Sequence, residues 1–175
     1  MKISELDTAL VRASFFEGKK GQKVARTPKD RESQVAPVDA KGRVVVPKDV
    51  RRHLERLAEA RMAGSGDASR LVLTRYKDPC VLVYPEFLWD TVLERVHAAK
   101  NKAVERIFIG SYREAELDGF GRIVIPGDLA KHARINGKAY FVKTTTGFEI
   151  WDPEVYKEVV EGSLEELPDL GELGV

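Results

Sequence analysis

The sequence predicts an α+β fold in which two divergent copies of one small β-rich unit pack together with flanking helices. The first observation is a repeat, because residues 39–49 (DAKGRVVVPKD) recur about 79 positions later as residues 118–128 (DGFGRIVIPGD). The second is that both copies continue with a helix-period segment and two short apolar runs of strand length. Since a unit of this size cannot bury its own apolar faces, we expect the copies to pack about a pseudo-two-fold axis.

The first copy opens with a turn, a strand and a helix. Residues 44–46 form a β-branched run after a glycine, which predicts a strand, and Pro47 suits the first turn of a helix. Residues 48–60 place Val50 and Leu54 at helical spacing and leave several arginines near the opposite face. This segment is predicted to be an amphipathic helix.

A hairpin and two further helices complete the first copy. Apolar runs at residues 70–76 and 80–84 are separated by a Lys-Asp-Pro segment, which predicts a hairpin. Residues 87–98 and 103–109 carry apolar side chains at helical spacing. Each copy is therefore expected to run as motif, helix, strand pair and helix.

The second copy repeats this plan with a shorter connection at Asn136 and Gly137 and a final helix at residues 154–161. Composition and repeat together divide the chain into four segments. They are an N-terminal extension with a basic stretch (1–35), the first unit (36–100), the second unit (101–162) and an acidic C-terminal tail (163–175).

The overall composition excludes several classes of protein. With 43% hydrophobic and 33% charged residues, the chain can bury a core. Cys80 is the only cysteine, so no internal disulfide and no cysteine-based zinc site can form, and no cofactor is expected. No apolar stretch approaches the length of a membrane span, and the sequence predicts a cytoplasmic protein.

The charge is unevenly distributed although the formal net charge is only +1. Residues 19–62 hold 13 basic and 6 acidic residues, whereas residues 152–172 hold 8 acidic residues and one lysine. A basic half can concentrate a polyanion, while an acidic tail keeps the protein soluble or masks the basic half. Two solvated surfaces that bind no partner would explain this uneven charge distribution equally well.

The repeated motif has the pattern Asp-x-x-Gly-Arg. Gly42 and Gly121 allow a positive φ, while the side chains of Asp39 and Asp118 can accept hydrogen bonds from the amides of the turn. The arginine that follows is held beside a rigid turn, from which its planar guanidinium can meet a phosphate or a guanine edge. An Asp–Arg salt bridge within the turn, with no ligand, is the alternative that the residues leave open.

Several segments together resemble the MraZ family over about residues 38–160. They are residues 39–47, 78–85, 105–110, 118–126 and 148–151, and the two Asp-x-x-x-Arg motifs typical of that family are both intact. The resemblance implies a tandem, pseudo-two-fold, AbrB-like swapped-hairpin β-barrel and ring-shaped homo-oligomers. It also implies a transcriptional regulator that binds short direct repeats of double-stranded DNA in the promoter of a division and cell-wall gene cluster, and hence association with the nucleoid.

Carried onto this chain, the motifs make Arg43 and Arg122 the candidate DNA-reading residues. Arg43 is expected to contribute more, because its copy carries four further basic residues nearby, Lys41, Lys48, Arg51 and Arg52. The second copy has Phe120 and Gly127 in place of the two lysines. The supporting DNA contacts are expected from Lys41, Lys48, Arg51 and Arg52, with Asp39, Gly42, Asp118 and Gly121 shaping the turns.

The start of the chain departs from the family pattern. Family members usually carry Phe-x-Gly a few residues before the first motif, whereas Phe16 and Gly18 lie about 21 residues before Asp39. Residues 19–34 are therefore interpreted as a basic insertion or an alternative start. Its lysines and arginines suit either phosphate contacts or a solvated loop.

Two other functions compete with DNA-dependent regulation. An AbrB-like antitoxin would bind DNA and also clamp a toxin partner, for which the acidic tail is a candidate. An enzyme is disfavoured, because only Asp49 and Asp128 recur as second carboxylates near the motifs and no phosphate-binding or nucleophile motif is present. The histidines are scattered and are expected on helix surfaces, and Cys80 and the large aromatic residues are expected in the core.

Overall fold

The structure is a computed structural model that describes residues 34–60 and 67–163. Within them the chain has the predicted α+β composition, with an antiparallel six-stranded sheet, a separate two-stranded ribbon and five helices. Residues 1–33 and 164–175 lie outside the described residues. The predictions for the basic N-terminal extension and for the acidic tail therefore fall outside the described part of the chain.

The predicted elements occur in the predicted order in both copies, and each copy also has a strand before its motif that was not predicted. In the first copy the elements are β1 (Val35–Pro37), β2 (Arg43–Val45), α1 (Lys48–Ala60), β3 (Arg70–Thr74), β4 (Cys80–Pro85) and α2 (Glu86–Ala98), and α3 (Lys102–Phe108) leads into the second copy. In the second copy they are β5 (Arg113–Glu116), β6 (Arg122–Val124), α4 (Gly127–His132), β7 (Lys138–Lys143), β8 (Phe148–Trp151) and α5 (Pro153–Ser163).

The strands of the two copies are interleaved. The six-stranded sheet has the order β1-β7-β8-β4-β3-β5, and β2 pairs with β6 in the ribbon. Strands β1 to β4 of the first copy correspond to strands β5 to β8 of the second. Exchanging each strand for its counterpart gives the same strand orders read from the opposite edge. This is the pattern expected of a pseudo-two-fold axis. Each of β1, β2 and β4 pairs with a strand of the other copy. The described strands form an open sheet with β1 and β5 at its edges, so their hydrogen bonds do not close the barrel expected from the resemblance.

One hydrophobic core lies between the ribbon and the sheet. Strand alternation turns Val44 of β2 and Ile123 of β6 inward, and both side chains are buried. They join Leu73, Phe141 and Ile150 of the sheet in a cluster drawn from both copies. Neither copy encloses this core alone, so the burial that stabilises one unit depends on the other.

Two aromatic clusters cover the outer side of the sheet. Trp89 of α2 stacks on Phe108 of α3 with ring centroids 5.6 Å apart, and Tyr84 approaches both rings. Trp151 packs edge-on against Tyr156 beside buried Cys80, and burial raises the pKa of the Cys80 thiol. The packing roles predicted for Cys80 and these aromatic residues are confirmed.

Two of the three histidines are half-buried on their helices and make specific contacts. His53 of α1 places Nε2 2.8 Å from the carbonyl oxygen of Thr144, and His132 of α4 places Nε2 2.8 Å from that of Asp78. Each imidazole therefore donates its Nε2–H to the hairpin turn of the other copy. The two helices thus hold the two hairpins across the pseudo-symmetric interface, whereas His97 is exposed.

The environment of His53 predicts a loss of stability in mild acid. Burial is the main cause that lowers the pKa of His53 from 6.5, and the charges of Arg56 and Lys143 lower it further. The unfolded chain therefore binds a proton at a higher pH than the folded chain. We expect the free energy of unfolding to decrease as the pH falls below about 6.5.

Urea denaturation at a series of pH values between 5 and 8 measures this effect. His53→Gln, which cannot titrate, should reduce the pH dependence, and His97→Gln on exposed α2 should leave it unchanged. Equal pH dependence in His53→Gln and the unmodified protein would contradict the assignment.

Within the described ranges, none of the helices is both long and apolar enough to cross a lipid bilayer.

Candidate nucleic-acid interface

The first motif forms a closed hydrogen-bonded turn. Asp39 Oδ1 accepts from the backbone amides of Lys41 and Arg43 at 2.9 Å each, and Asp39 Oδ2 accepts from Arg43 Nε at 2.6 Å. The amide of Gly42 donates to the Asp39 carbonyl at 2.9 Å, with a φ of 76° at the glycine. One carboxylate therefore shapes the turn and orients the arginine at the same time.

The second motif reproduces this geometry. Asp118 Oδ1 accepts from the amides of Phe120 and Arg122 at 2.9 Å each, and Asp118 Oδ2 accepts from Arg122 Nε at 2.7 Å. Gly121 has a φ of 73° and donates to the Asp118 carbonyl. Two sequences that differ at the second and third positions of the turn thus form the same structure, because the shared Asp, Gly and Arg make the bonds.

The carboxylates are held in their ionised state. Hydrogen bonding by the arginine backbone amide is the largest cause that lowers the pKa of Asp39, and the same is true of Asp118. The intra-turn salt bridge that the sequence left open is thus present in both copies. It uses Nε of each arginine, and within the described residues the Nη groups of Arg43 and Arg122 make no further hydrogen bond or ion pair. Both guanidinium groups can therefore donate to a ligand while they stay anchored.

Both arginines lie on the outward face of one ribbon. In the β2–β6 pair Arg43 stands opposite Val124, and Arg122 stands opposite Val45. Side chains opposite each other in a ladder point to the same face, so these four residues form its outer side. The arginines occupy one diagonal, and their side chains are 45% and 38% exposed, which places two oriented cations on one face of a single ribbon.

The other predicted contacts divide into two groups. Lys41 in the first turn and Lys48 and Arg52 of α1 are exposed, as a phosphate contact requires. Arg51 is half-buried, and its Nε donates to the carbonyl oxygen of Val46 at 3.2 Å.

The position of Arg51 changes the predicted ranking of the two motifs. Its guanidinium lies against Gly121, where an added Cβ atom would be 2.8 Å from Arg51 Cζ. Arg51 therefore supports the turn of the second motif, not that of its own copy. The expectation that Arg43 contributes more rests in part on Arg51, which lies beside the second turn. We therefore expect the two motifs to have comparable weight.

The two glycines predict a difference in stability. A Cβ on Gly42 would lie 2.7 Å from the backbone oxygen of Ile125, whereas one on Gly121 would meet only the flexible end of Arg51. Both substitutions strain a left-handed residue by about 1–2 kcal/mol. Gly42→Ala must also displace backbone, so its free energy of unfolding should fall further than that of Gly121→Ala.

Chemical denaturation of both variants measures this difference, and a double-mutant cycle with Arg51→Ala tests its cause. Removing the guanidinium should lessen the effect of Gly121→Ala and leave that of Gly42→Ala unchanged. Equal losses for the two glycines, with no coupling to Arg51, would contradict the geometry.

The recurring second carboxylates have structural partners. Asp49 accepts from Lys143 Nζ at 2.9 Å, and Asp128 accepts from Arg113 Nη2 at 2.7 Å. No group of three or more histidine, cysteine or acidic residues suited to a metal ion occurs among the described residues. The acidic residues that recur in and beside the two motifs are thus engaged in the hydrogen bonds of the turns and in ion pairs.

Three exposed apolar residues of this surface were not predicted as contact residues from the sequence. Val45 and Val124 are 45% and 51% exposed on the outer face, and Phe120 at the tip of the second turn is 77% exposed. The guanidinium of Arg122 lies 4.9 Å from the centre of the Phe120 ring. The period of two along a strand places Val45 on the same face as Arg43, but the continuous β-branched run of residues 44–46 obscures this alternation in the sequence.

The described residues define an α+β protein in which two interleaved units present two anchored arginines on one ribbon. A sequence model of the family described as "MraZ protein, putative antitoxin-like" matches residues 32–110 and again residues 107–168. The chain belongs to the MraZ family.

Individual relatives agree with this assignment. A "Transcriptional regulator MraZ" of Shewanella piezotolerans is 33% identical over 132 residues, which cover 72% of this chain and 81% of that protein. One of Shewanella sediminis is 32% identical over 134 residues, covering 73% and 82%. One of Marinobacter nauticus is 29% identical over 143 residues, covering 78% and 91%.

Proposed function

We propose that this protein is a sequence-specific DNA-binding transcriptional regulator whose β2–β6 ribbon contacts duplex DNA. The observation that carries the proposal is the pair of anchored arginines on the ribbon's outer face, with Arg43 and Arg122 each fixed through Nε. A two-stranded ribbon fits the major groove, where an arginine can donate two hydrogen bonds to guanine O6 and N7. Anchoring reduces the side-chain entropy lost on binding.

Non-specific affinity comes from the exposed cations around the ribbon. Lys41, Lys48 and Arg52 can each neutralise a phosphate and release a counterion. Such contacts position the protein on the duplex, and the two arginines read the bases. Because the guanidinium of Arg51 packs against Gly121, we expect Arg51 to act mainly by shaping the second turn.

The names of the relatives support regulation of transcription, and with it a cytoplasmic protein associated with the nucleoid. The interleaved strands support an AbrB-like swapped-hairpin arrangement of the two units, residues 36–100 and 101–162. The proposed target is a set of short direct repeats in the promoter of a division and cell-wall gene cluster, bound by a ring-shaped homo-oligomer.

The experiment that tests this function is a titration of labelled duplex from the region upstream of the protein's own gene. Fluorescence anisotropy should show tighter binding to this duplex than to one of the same composition in scrambled order, and the affinity should fall with added salt. Equal affinity for the two duplexes would refute sequence-specific recognition.

An antitoxin is the second candidate, favoured by the description of the family model as antitoxin-like. In that case a small basic toxin should co-purify with the protein and depend on the acidic tail from residue 163 onward. Removing that tail would then release the toxin but leave DNA binding intact. If the tagged protein co-purifies only with further copies of the same chain, the result favours the transcriptional regulator over the antitoxin.

The tips of the two turns predict different salt dependence. Lys41 and Phe120 occupy equivalent positions, yet one is a cation and the other an exposed ring. If each tip approaches DNA, Lys41→Ala should reduce the slope of log affinity against log salt by about 0.9, the value for one phosphate contact. Phe120→Ala should lower the affinity without changing that slope.

Anisotropy titrations at four or more salt concentrations measure the slopes, with Lys157→Ala at an exposed position of α5 as the control for loss of one positive charge. Identical slopes for Lys41→Ala and Lys157→Ala would show that the tip of the first turn does not contact phosphate.

A further inference from the structure

We infer that the ribbon also reads thymine, through contacts of Val45 and Val124 with the 5-methyl groups in the major groove. The inference rests on the proposed DNA binding and assigns a base-reading role to two side chains beside the arginines. Thymine is the base whose major-groove edge carries an apolar group, and side-chain methyl groups can contact it there.

The first support is the arrangement of the outer face. Each row of the ladder combines one arginine with one valine, Arg43 with Val124 and Arg122 with Val45. Side chains directly opposite have Cβ atoms about 4.5–5.5 Å apart. One row can therefore place a guanidinium on a guanine and a valine on the methyl group of a neighbouring thymine.

The second support is the concentration of exposed apolar side chains. The large hydrophobic residues that are exposed within the described ranges are Val35, Val45, Ile107, Phe120, Val124 and Val160. Three of these six belong to the ribbon and its second turn. A single exposed valine needs no explanation in a strand, but a group framed by cations is typical of a binding surface.

Charge favours DNA over a second copy of the chain as the occupant. Two such faces packed about a two-fold axis would bring four guanidinium groups together, because each face carries both Arg43 and Arg122. The carboxylates nearby, Asp39 and Asp118, are already bound to their own arginines. A polyanion complements the two arginines of this face, and the valines beside them suit a methyl-bearing groove.

Replacing thymine by deoxyuracil removes the methyl group and keeps the hydrogen-bonding edge, so it provides the test. The unmodified protein should bind the thymine duplex from upstream of its own gene more tightly than the deoxyuracil version, by about fourfold for each methyl group contacted. The Val45→Ser/Val124→Ser double variant should bind the thymine duplex more weakly and show no difference between the two duplexes.

Val35→Ser, at an exposed valine of edge strand β1, is the matched control and should retain the full thymine preference. Equal binding of both duplexes by the unmodified protein would overturn the inference while leaving DNA recognition intact. A preference that persists in the double variant would also overturn it, since the methyl groups would then act elsewhere. A changed mass of the double variant in light scattering would show that the face joins subunits. Failure to distinguish either duplex from scrambled DNA would instead refute the proposed function.

Discussion

Replacing both Arg43 and Arg122 by alanine should abolish specific DNA binding while leaving the protein folded. Each preorganised contact to a base or phosphate contributes about 1–3 kcal/mol, which corresponds to a loss of about five- to 150-fold for each single variant. The comparable geometry of the two turns predicts similar losses for the two single variants.

Stability should change far less than binding. The Asp39–Arg43 and Asp118–Arg122 pairs are exposed, and exposed salt bridges contribute little to the free energy of unfolding. The turns also keep their backbone bonds to the carboxylates when the arginine side chain is removed. Circular dichroism and thermal denaturation should therefore show a native fold.

Two control variants separate arginine geometry from charge. Arg43→Lys and Arg122→Lys keep the charge but lose the planar group that Nε anchors, and they should recover non-specific binding only. Arg106→Ala removes one exposed arginine from α3 and should leave specific binding unchanged. If the double alanine variant keeps its preference over scrambled DNA, or loses binding only in proportion to unfolding, the ribbon arginines do not read the sequence.

The local features of this fold could be predicted from the sequence because neighbouring residues determine them. The amphipathic spacing of residues 48–60 predicted the observed bounds of α1, and Pro47 and Pro126 precede helices as expected. The turn motif is equally local, since Asp39 reaches its partners within four residues. A repeat with matching motifs was sufficient to predict two related turns.

The contacts between copies could not be predicted, because they depend on the register of strands far apart in sequence. The pairing of β2 with β6 places Arg51 beside Gly121, about 70 positions away. Similarly, the sequence predicts His53 and His132 on helix surfaces, yet each donates a hydrogen bond to a carbonyl oxygen in a hairpin of the other copy. The charge pattern along the chain therefore indicated a basic region, but it could not show that Arg51 lies beside the turn of the second motif.

The number of repeats in the DNA should have the largest effect on affinity. In the proposed mode of binding, one ribbon offers two arginines that read bases and a few phosphate contacts. So few contacts discriminate weakly among the many sites of a genome. If identical ribbons are linked in a ring at fixed spacing, the second contact becomes effectively intramolecular. The affinity for spaced repeats can then exceed that for one repeat by about 10²–10⁴.

Light scattering gives the mass of the assembly, and titration of duplexes carrying one, two or three copies of the bound element gives the coupling. We expect a homo-oligomer whose affinity rises steeply from one copy to two and falls again when half a helical turn is inserted between them. The shifted spacing is the decisive control, because it keeps every base contact but turns the second element away from the second ribbon. A monomer, or an oligomer whose affinity ignores both repeat number and spacing, would show that the ribbons act independently.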